Sequence, residues 1–482
     1  MNRVLGWWWV VFCWVQLGCG PAAGLDGGAD GGPREDGGRG GIDAGTRVDA
    51  GTGNDAGTGN DAGDAGGDVQ ASGCWSAPTP ITSGAPVASF ELAADGERAY
   101  AAWIESDPLR SGLPNAFASA TLEDGGWASP RRLVTFPLAD DKDWSDIALV
   151  ASSGQAAAVW GRRYTSDAGL WGDMQEVFLA RFLPDAGWQP AERVNLQPQW
   201  VASGGGFGEP PAGGPRVGLV DQGDVLVLWV EYSIEAGSMS LISRRLTTSG
   251  WDAPLRVLNG RYWTPPWLSV GGSNTMAFWA AGAETAAARL VDGGWEAETI
   301  SLGCGQVHWV NGVVDAEGRA LASWTGNLGI EAPGVSARVD GGWSPPTDLN
   351  PMSGYNPRPS SMALDGRGQG AMLWYGPINA PDVHLSRFDG TTWLPADTLF
   401  TGHTGVGRGT LAMNLAGVGL ATWSASDGST IRTYAARFED GGAPSIDTFE
   451  DGALEGTRAA VTPQGTRWIF FFGDGGMVSH CP

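Results

Sequence analysis

The chain has 482 residues, of which 42% are hydrophobic, and its 53 acidic and 29 basic side chains give a formal net charge of −24. This charge disfavours nucleic acid or an anionic bilayer face as a partner, because neither offers a counter-charge. We therefore predict no nucleic-acid partner. The four histidines lack the paired spacing of a metal site, so we predict no metal and no cofactor.

Residues 1–18 predict a secretion signal. Arg3 supplies a positive start, and the apolar run that follows is shorter than the about 20 residues of a membrane-spanning helix. Cys19 follows this run in a setting that resembles a bacterial lipobox, although Gln16 stands where that motif usually has leucine. The resemblance implies that Cys19 is lipidated and becomes the first residue. Cleavage after the "PAAG" stretch by an ordinary signal peptidase is the alternative.

Residues 19–72 predict a flexible tether. They are rich in Gly, Asp, Ala and Thr and contain almost no large apolar side chains, so they cannot bury enough surface to offset their chain entropy. A coil of about 50 residues would span roughly 35–45 Å. Lipid anchor, acidic tether and folded domain together resemble surface lipoproteins of myxobacterial type. The resemblance implies a bacterial outer-membrane location, facing the periplasm or the cell exterior, with the membrane as a partner through the lipid.

Residues 73–482 repeat two sequence words. One is a turn followed by tryptophan or a substitute, at Trp127, Trp188, Trp251, Trp295, Trp343, Trp393 and Ala443. The other is an apolar strand that ends in tryptophan, at Trp103, Trp160, Trp229, Trp279, Trp324, Trp374 and Trp423, with "TRWIFFF" as an eighth copy. The strand copies are spaced by 45 to 69 residues, mostly near 50, which is typical of propeller blades.

Each period divides into four strands separated by Asp-Gly or Gly-Gly turns, and no segment has sustained helical periodicity. The sequence therefore predicts one all-β domain, a β-propeller of about eight four-stranded blades, with seven as the alternative. The domain starts with a lone fourth strand and ends with three strands, so we expect both ends to share one blade. Cys74 and Cys481 would then form a disulfide, and Cys304 would remain a buried thiol.

The two faces of such a propeller differ. We expect the turn tryptophans to be structural, each packing its blade against a neighbour, and we expect ligands on the opposite face, where the longer loops lie. The candidate ligand-binding residues are aromatic residues outside the repeat and arginines near the start of inner strands: Trp200, Trp263, Trp267, Trp309, Tyr355, Arg216 and Arg358. The rings would stack on sugars or clasp a peptide, or they would plug the channel. The arginines, with Arg408 and Arg458, would converge on a carboxylate or remain solvated.

The segment "FDGTTW" (388–393) is similar to part of the Asp-box turn of sialidases, which are propeller enzymes that hold a substrate carboxylate with arginines. Sialidases have six blades, and their Tyr/Glu nucleophile pair is not evident in this chain. A glycoside hydrolase would need two carboxylates about 5–10 Å apart. The candidates are Glu105, Asp107, Glu231 and Asp382.

We therefore predict a monomeric, non-enzymatic binding or scaffold module for an extracellular glycan or protein, and assign no catalytic residue. A sialidase-like or other propeller glycoside hydrolase is the alternative.

Overall fold

The structure of the chain is a computed structural model. It describes residues 74–82, 87–96, 98–107, 113–121, 126–134, 147–165, 173–197, 199–201, 214–220, 223–233, 238–260, 266–281, 284–302, 307–326, 334–349, 358–376, 382–401, 405–407, 409–426, 430–439, 442–449, 456–471 and 477–482. These residues form strands and turns without an α-helix. Within them, no helix is long and apolar enough to cross a membrane.

The strands are numbered in chain order and form eight antiparallel blades. A short strand, β1 (Thr79–Pro80), comes first along the chain and belongs to the last blade. Blade 1 contains β2 (Val87–Asp95), β3 (Arg98–Asp107), β4 (Leu113–Ala120) and β5 (Arg131–Val134). Blade 2 contains β6 (Ala148–Ser152), β7 (Gln155–Thr165), β8 (Asp173–Leu183), β9 (Gly187–Trp188) and β10 (Glu192–Arg193). Strand β11 (Gln199–Val201) pairs with both β8 and a strand of the next blade.

The next three blades follow the same plan. Blade 3 contains β12 (Arg216–Val220), β13 (Asp224–Ser233), β14 (Ser238–Thr247), β15 (Gly250–Trp251) and β16 (Leu255–Gly260). Blade 4 contains β17 (Trp267–Gly271), β18 (Asn274–Ala281), β19 (Glu284–Val291) and β20 (Gly294–Leu302). Blade 5 contains β21 (Val307–Val314), β22 (Ala320–Gly326), β23 (Gly334–Val339), β24 (Gly342–Trp343) and β25 (Thr347–Asp348).

The last three blades complete the ring. Blade 6 contains β26 (Arg358–Leu364), β27 (Gly370–Tyr375), β28 (Val383–Phe388) and β29 (Asp397–Phe400). Blade 7 contains β30 (Gly405–Val406), β31 (Thr410–Met413), β32 (Gly419–Ser426), β33 (Ile431–Phe438) and β34 (Ser445–Phe449). Blade 8 contains β35 (Thr457–Val461), β36 (Arg467–Phe471) and β37 (Met477–Cys481), with β1 as its outer strand.

The inner strands β2, β6, β12, β17, β21, β26, β31 and β35 each contact the next, and β35 contacts β2, so the ring is closed. The prediction of an all-β propeller with eight four-stranded blades is therefore confirmed, and the seven-bladed alternative is excluded. The face at which the inner strands begin is called here the entrance face, and the opposite one, which carries the short hairpins within blades, the turn face.

The core lies between neighbouring blades, where large rings of the second strand pack against small side chains. Trp103, Trp160 and Trp423 are fully buried, as their place at the end of each apolar strand word predicted. At the contact between blades 8 and 1, Phe90 stacks parallel to Phe470 with 3.3 Å between ring centroids. Burying rings of this size is the dominant source of stability in such a repeat.

Both chain ends meet in blade 8, as predicted. Strand β1 pairs antiparallel with β37, and the backbone N–H of Ser76 donates to the His480 carbonyl at 2.8 Å. Cys74 and Cys481 form the predicted disulfide, with Cα atoms 5.0 Å apart. The ring is thus closed by strand pairing and by a covalent bond. Cys304 lies outside the described residues.

The turn tryptophans tie each blade to the preceding one. The indole N–H of Trp343 in blade 5 donates to the Glu298 carboxylate of blade 4 at 2.9 Å, and Arg338 forms a two-pronged ion pair with the same carboxylate at 2.9 and 3.0 Å. Trp75 donates in the same way to Asp447 of blade 7 at 2.9 Å, and Arg437 pairs with that carboxylate. Trp75 is therefore the turn tryptophan of blade 8.

The turns before Trp295 and Trp343 have the conformation that the Asp-Gly sequences predicted. Asp292 and Asp340 have φ angles of 49° and 53°, and the glycines after them are also left-handed. Two consecutive positive φ angles define a type I′ turn, whose twist matches that of the paired strands. The turn face is consequently built of tight, regular hairpins.

Candidate functional site

Four of the seven candidate ligand residues lie on one arc of the entrance face. Arg216, Trp267 and Arg358 are the first residues of inner strands β12, β17 and β26, and Trp309 is the third residue of β21. These strands belong to the consecutive blades 3, 4, 5 and 6. The set of these four residues is called the arc below.

Of the other three candidates, only Trp200 lies within the described residues. Trp200 lies in β11, opposite Met174 of blade 2 and Tyr232 of blade 3, at the entrance-face end of both blades. Its strand joins the two blades into one continuous sheet beside the arc. Trp263 and Tyr355 lie outside the described residues.

Arg216 and Trp267 are in contact. The guanidinium carbon of Arg216 lies 5.5 Å from the centroid of the Trp267 ring, which is a cation–π geometry. A side chain at Gly218 would collide with Val270, so this glycine lets β12 lie close against β17. The close approach of the two strands brings the arginine of blade 3 within reach of the tryptophan of blade 4.

The strand that carries Trp309 is irregular at the entrance face. Its pairing register shifts between Val307 and Trp309, so His308 is the extra residue of a β-bulge. Strand β26 has the same irregularity between Pro359 and Ser361. Bulges at the rim of a ring redirect side chains and are frequent beside binding sites. Neighbouring blades 5 and 6 thus both interrupt regular pairing within the arc.

The arginines at the start of inner strands make different contacts. Arg458 of blade 8 pairs with Glu91 of blade 1 at 2.9 Å, across the seam where the ring closes. Arg216 instead contacts blade 4. Arg408 lies outside the described residues, and for Arg358 only the backbone is described. The structure does not bring Arg216 and Arg458 to one point.

The candidate catalytic carboxylates are distributed over several blades. Glu105 of blade 1 and Glu231 of blade 3 each accept the indole N–H of the tryptophan two residues before, at 2.8 and 2.9 Å. Asp107 ends β3, and Asp382 precedes β28 in blade 6. The carboxylates of Glu105, Glu231 and Asp382 belong to blades 1, 3 and 6. Sequence reasoning missed the Trp-x-Glu bond, which "WIE" and "WVE" both encode.

The pKa of Glu231 yields a pH-dependent prediction. Burial raises this pKa above its usual value of 4.5, against the opposing effects of the Trp229 indole N–H and of Arg256. Because the pKa is raised in the folded state, the protonated carboxyl stabilises the fold below pH 4.5, and this contribution is lost as the pH rises through the folded-state pKa. We expect Glu231→Gln to raise the midpoint of urea unfolding at pH 7 and to leave it unchanged near pH 4.

The matched control for this experiment is Glu317→Gln, at a carboxylate that is 58% exposed on the turn face. An unchanged or lower midpoint for Glu231→Gln at pH 7 would contradict the assignment.

The Asp-box-like turn holds its own aspartate. Asp389 accepts the backbone N–H of Thr392 at 2.8 Å, the Thr391 hydroxyl at 2.7 Å and the Thr391 N–H at 2.8 Å. These hydrogen bonds lower the pKa of Asp389 to about 2. The residue lies in the turn between the third and fourth strands of blade 6, on the turn face, and its hydrogen bonds maintain that turn.

Across the described ranges, no group of three or more His, Cys, Asp or Glu side chains is arranged to hold a metal ion. The chemical groups that characterise the arc are guanidinium and indole groups.

Comparisons with known proteins find the fold only at low similarity. No family model and no curated protein matches the chain. A polysaccharide lyase, ulvan lyase, has 10% identity and a TM-score of 0.45, covering 79% of this chain and 97% of its own. A prolyl endopeptidase has 10% identity and a TM-score of 0.43, covering 82% and 54%. An α-L-arabinanase of Penicillium chrysogenum has 15% identity and a TM-score of 0.35, covering 55% and 91%.

Proposed function

We propose that this chain is a lipid-anchored protein of the bacterial outer membrane whose propeller is a monomeric, non-enzymatic binding module for an extracellular glycan. The arc carries the proposal: Arg216, Trp267, Trp309 and Arg358 lie at one end of the inner strands of four consecutive blades. Indole rings and guanidinium groups are the side chains that most often dominate recognition surfaces. The turn face, in contrast, is built of tight hairpins within blades.

A binding role is favoured over hydrolysis by the carboxylates. Glu105 is only 4% exposed and Glu231 is half-buried, and both bond to an indole of their own strand. Blade 2 lies between the blades that carry them. Hydrolysis of a glycosidic bond needs two carboxylates facing one substrate at about 5–10 Å. Glu105 and Glu231 each accept a hydrogen bond within their own strand, which favours the binding role.

A glycan array probed with the mature chain tests the binding role. We expect selective binding to a subset of glycans, and a loss of at least about 10-fold when Trp309 is replaced by alanine, because an aromatic contact typically contributes one to several kcal/mol. Leu415→Ala is the control, since Leu415 is 68% exposed and lies on the turn face. Binding that is equally weakened by both variants, or absent for all glycans, would refute the proposed role.

The anchor is tested separately. We expect Cys19→Ser to move the protein from the membrane fraction to the soluble fraction, because it removes the residue that is proposed to carry the lipid. The measurement is immunodetection after cell fractionation, with Cys13→Ser as the control within the apolar run. Unchanged membrane association of Cys19→Ser would contradict lipidation at this residue.

A further inference from the structure

We infer that β20, the outer strand of blade 4, binds an extended segment of a partner protein as an antiparallel fifth strand, and that this segment carries Lys or Arg at alternate positions. The strand lies at the outer edge of its blade, whereas the arc lies on inner strands. The inference therefore goes beyond the proposed glycan-binding function and is independent of it.

Each of the other seven blades has a proline in or beside its outer strand. The proline follows the turn tryptophan or its substitute by one to three residues: Pro78, Pro130, Pro190, Pro254, Pro345, Pro395 and Pro444. In blades 2, 3 and 5 the outer strand is interrupted at this proline. Proline lacks a backbone N–H, so in an edge strand it hinders pairing with another chain. Strand β20, with the sequence "GWEAETISL", contains no proline.

The free edge of β20 is long and regular. The strand has nine residues, and the next longest outer strand, β16, has six. From Gly294 to Thr299 it pairs with β19 without a register shift, starting from the hairpin pair of Val291 and Gly294. This closing pair exchanges both hydrogen bonds, and the pairs that follow alternate. The backbone groups of Trp295, Ala297 and Thr299 therefore point away from β19, and no strand among the described residues pairs with that edge.

The strand is held in place by both neighbouring blades. The Trp295 indole N–H donates to the Ser243 hydroxyl of blade 3 at 2.9 Å. Two residues of blade 5, Arg338 and Trp343, donate to the Glu298 carboxylate at 3.0 and 2.9 Å. The edge is thus ordered before a partner arrives, which lowers the ordering cost of binding.

The charge of the strand determines the chemistry of the partner. Glu296 and Glu298 are two residues apart and so lie on the same face of β20. The Glu296 carboxylate is 62% exposed and pairs with Arg289 at 3.4 Å, an exposed contact of small energy. Residues 74–482 carry 43 acidic and 25 basic side chains, so the surrounding field also favours a cation. A strand with Lys or Arg opposite the two glutamates gains favourable charge pairs across the ladder.

A second copy of this chain fits the same edge poorly. An antiparallel pair of two β20 strands centred on Ala297 places Glu296 of each copy opposite Glu298 of the other. Like charges directly opposite each other destabilise a strand pair. The net charge of −24 adds repulsion between whole chains. These charges favour a basic partner over self-association.

A labelled synthetic nonapeptide of alternating Val and Arg tests the strand pairing, with fluorescence anisotropy on the mature chain as the measurement. When Arg lies opposite the glutamates, each Val lies opposite an outward-pointing residue of β20, and the Val N–H groups donate to the chain. We expect N-methylation of the Val nitrogens to lower binding at least about 10-fold, because it removes several hydrogen bonds and obstructs the approach of the strands. N-methylation of the Arg nitrogens is the matched control, since these N–H groups point away from β20, and it should leave binding unchanged.

Ala297→Pro tests the same contact from the side of the chain. The new proline stands two residues after the turn tryptophan, as Pro190, Pro345 and Pro395 do in blades 2, 5 and 6. The Ala297 N–H points outward and takes no part in the pairing with β19, so the fold should be retained. We expect the unmodified peptide to bind at least about 10-fold more weakly.

Ala297→Val is the matched control for this variant, because it keeps the backbone N–H, and it should bind the peptide like the original chain. Unfolding midpoints show whether Ala297→Pro folds. If it does not fold, the two methylated peptides decide the question on the original chain.

The outcomes are distinct from those of the glycan experiment. Equal binding of the two methylated peptides, or binding that a folded Ala297→Pro leaves unchanged, would reveal attraction by charge alone and overturn the inference. Self-association that Ala297→Pro abolishes would assign the edge to a second copy and overturn the basic partner. Absence of peptide binding overturns the inference and leaves the glycan result intact. Trp309→Ala should leave peptide binding unchanged, so failure of the glycan proposal is recognised separately.

Discussion

Replacing both Cys74 and Cys481 by serine is expected to lower the free energy of unfolding by about 5 kcal/mol. The disulfide joins residues separated by 407 positions, and in the entropic model a cross-link over so long a loop removes much of the freedom of the unfolded chain. The strand that it secures has only two paired residues, Thr79 and Pro80. Urea unfolding followed by tryptophan fluorescence measures the effect.

Cys304→Ser serves as the control, since it removes a thiol outside the predicted disulfide. A loss below about 1 kcal/mol for the double variant would mean that strand pairing alone closes the ring, and that the unfolded chain gains little from reduction.

Asp447→Ala is expected to destabilise the fold by about 3 kcal/mol. Its carboxylate is 1% exposed and accepts the Arg437 Nε–H at 2.7 Å and the Trp75 indole N–H at 2.9 Å. Removing it deprives a partly buried guanidinium and an indole N–H of this acceptor, which is more costly than losing an exposed ion pair. Denaturant unfolding of the purified variant measures the loss.

Glu298→Ala is the comparison, because Glu298 of blade 4 accepts from Arg338 and Trp343 of blade 5, whereas Asp447 accepts from Arg437 of its own blade and from Trp75 of blade 8. We expect a similar single-variant loss. The stability lost in Asp447→Ala should not simply add to the stability lost on removing the disulfide, because Trp75 and Cys74 secure the same chain end. The loss in Glu298→Ala should add to it. Additive losses of stability for both variants would show that the disulfide and the Trp75–Asp447 hydrogen bond act independently.

The sequence predicted the blades because their signal is repeated. A turn and an apolar strand recur at a nearly constant spacing, and each copy reinforces the count. The disulfide was predictable for a related reason, since an incomplete blade at each end of the domain requires Cys74 and Cys481 to lie on neighbouring strands. The order of residues along the chain is sufficient to predict the blades and the disulfide.

Side-chain partners were less accessible from sequence. Trp103, Trp160 and Trp374 occupy equivalent repeat positions, yet Trp103 donates to Glu105 and Trp374 to Ser386, while the Trp160 indole N–H has no acceptor among the described residues. The acceptors lie on different strands. A repeat pattern shows that each ring is buried, but not which polar atom it meets.

The same limit applies to the candidate site. Arg216 and Arg358 were assigned correctly to the start of inner strands, whereas Trp267 and Trp309 were expected in the connections between blades and lie within β17 and β21. The contact of Arg216 with Trp267 depends on a close approach of two strands at Gly218. The bulge at His308 is equally invisible in the order of residues. Such details follow from packing between blades, which the spacing of motifs does not specify.

The closure of the ring also determines how the molecule resists mechanical load. A pull on the chain ahead of Cys74 enters the propeller at the disulfide and passes directly to Cys481 at the end of β37. The two residue pairs of β1 are then in parallel with a covalent bond, so they cannot be peeled away one at a time. We expect yielding to begin instead in the five-pair ladder between β37 and β36 of blade 8. A domain held by the chain ahead of Cys74 and pulled at the entrance face would therefore keep that face intact until this ladder gives way.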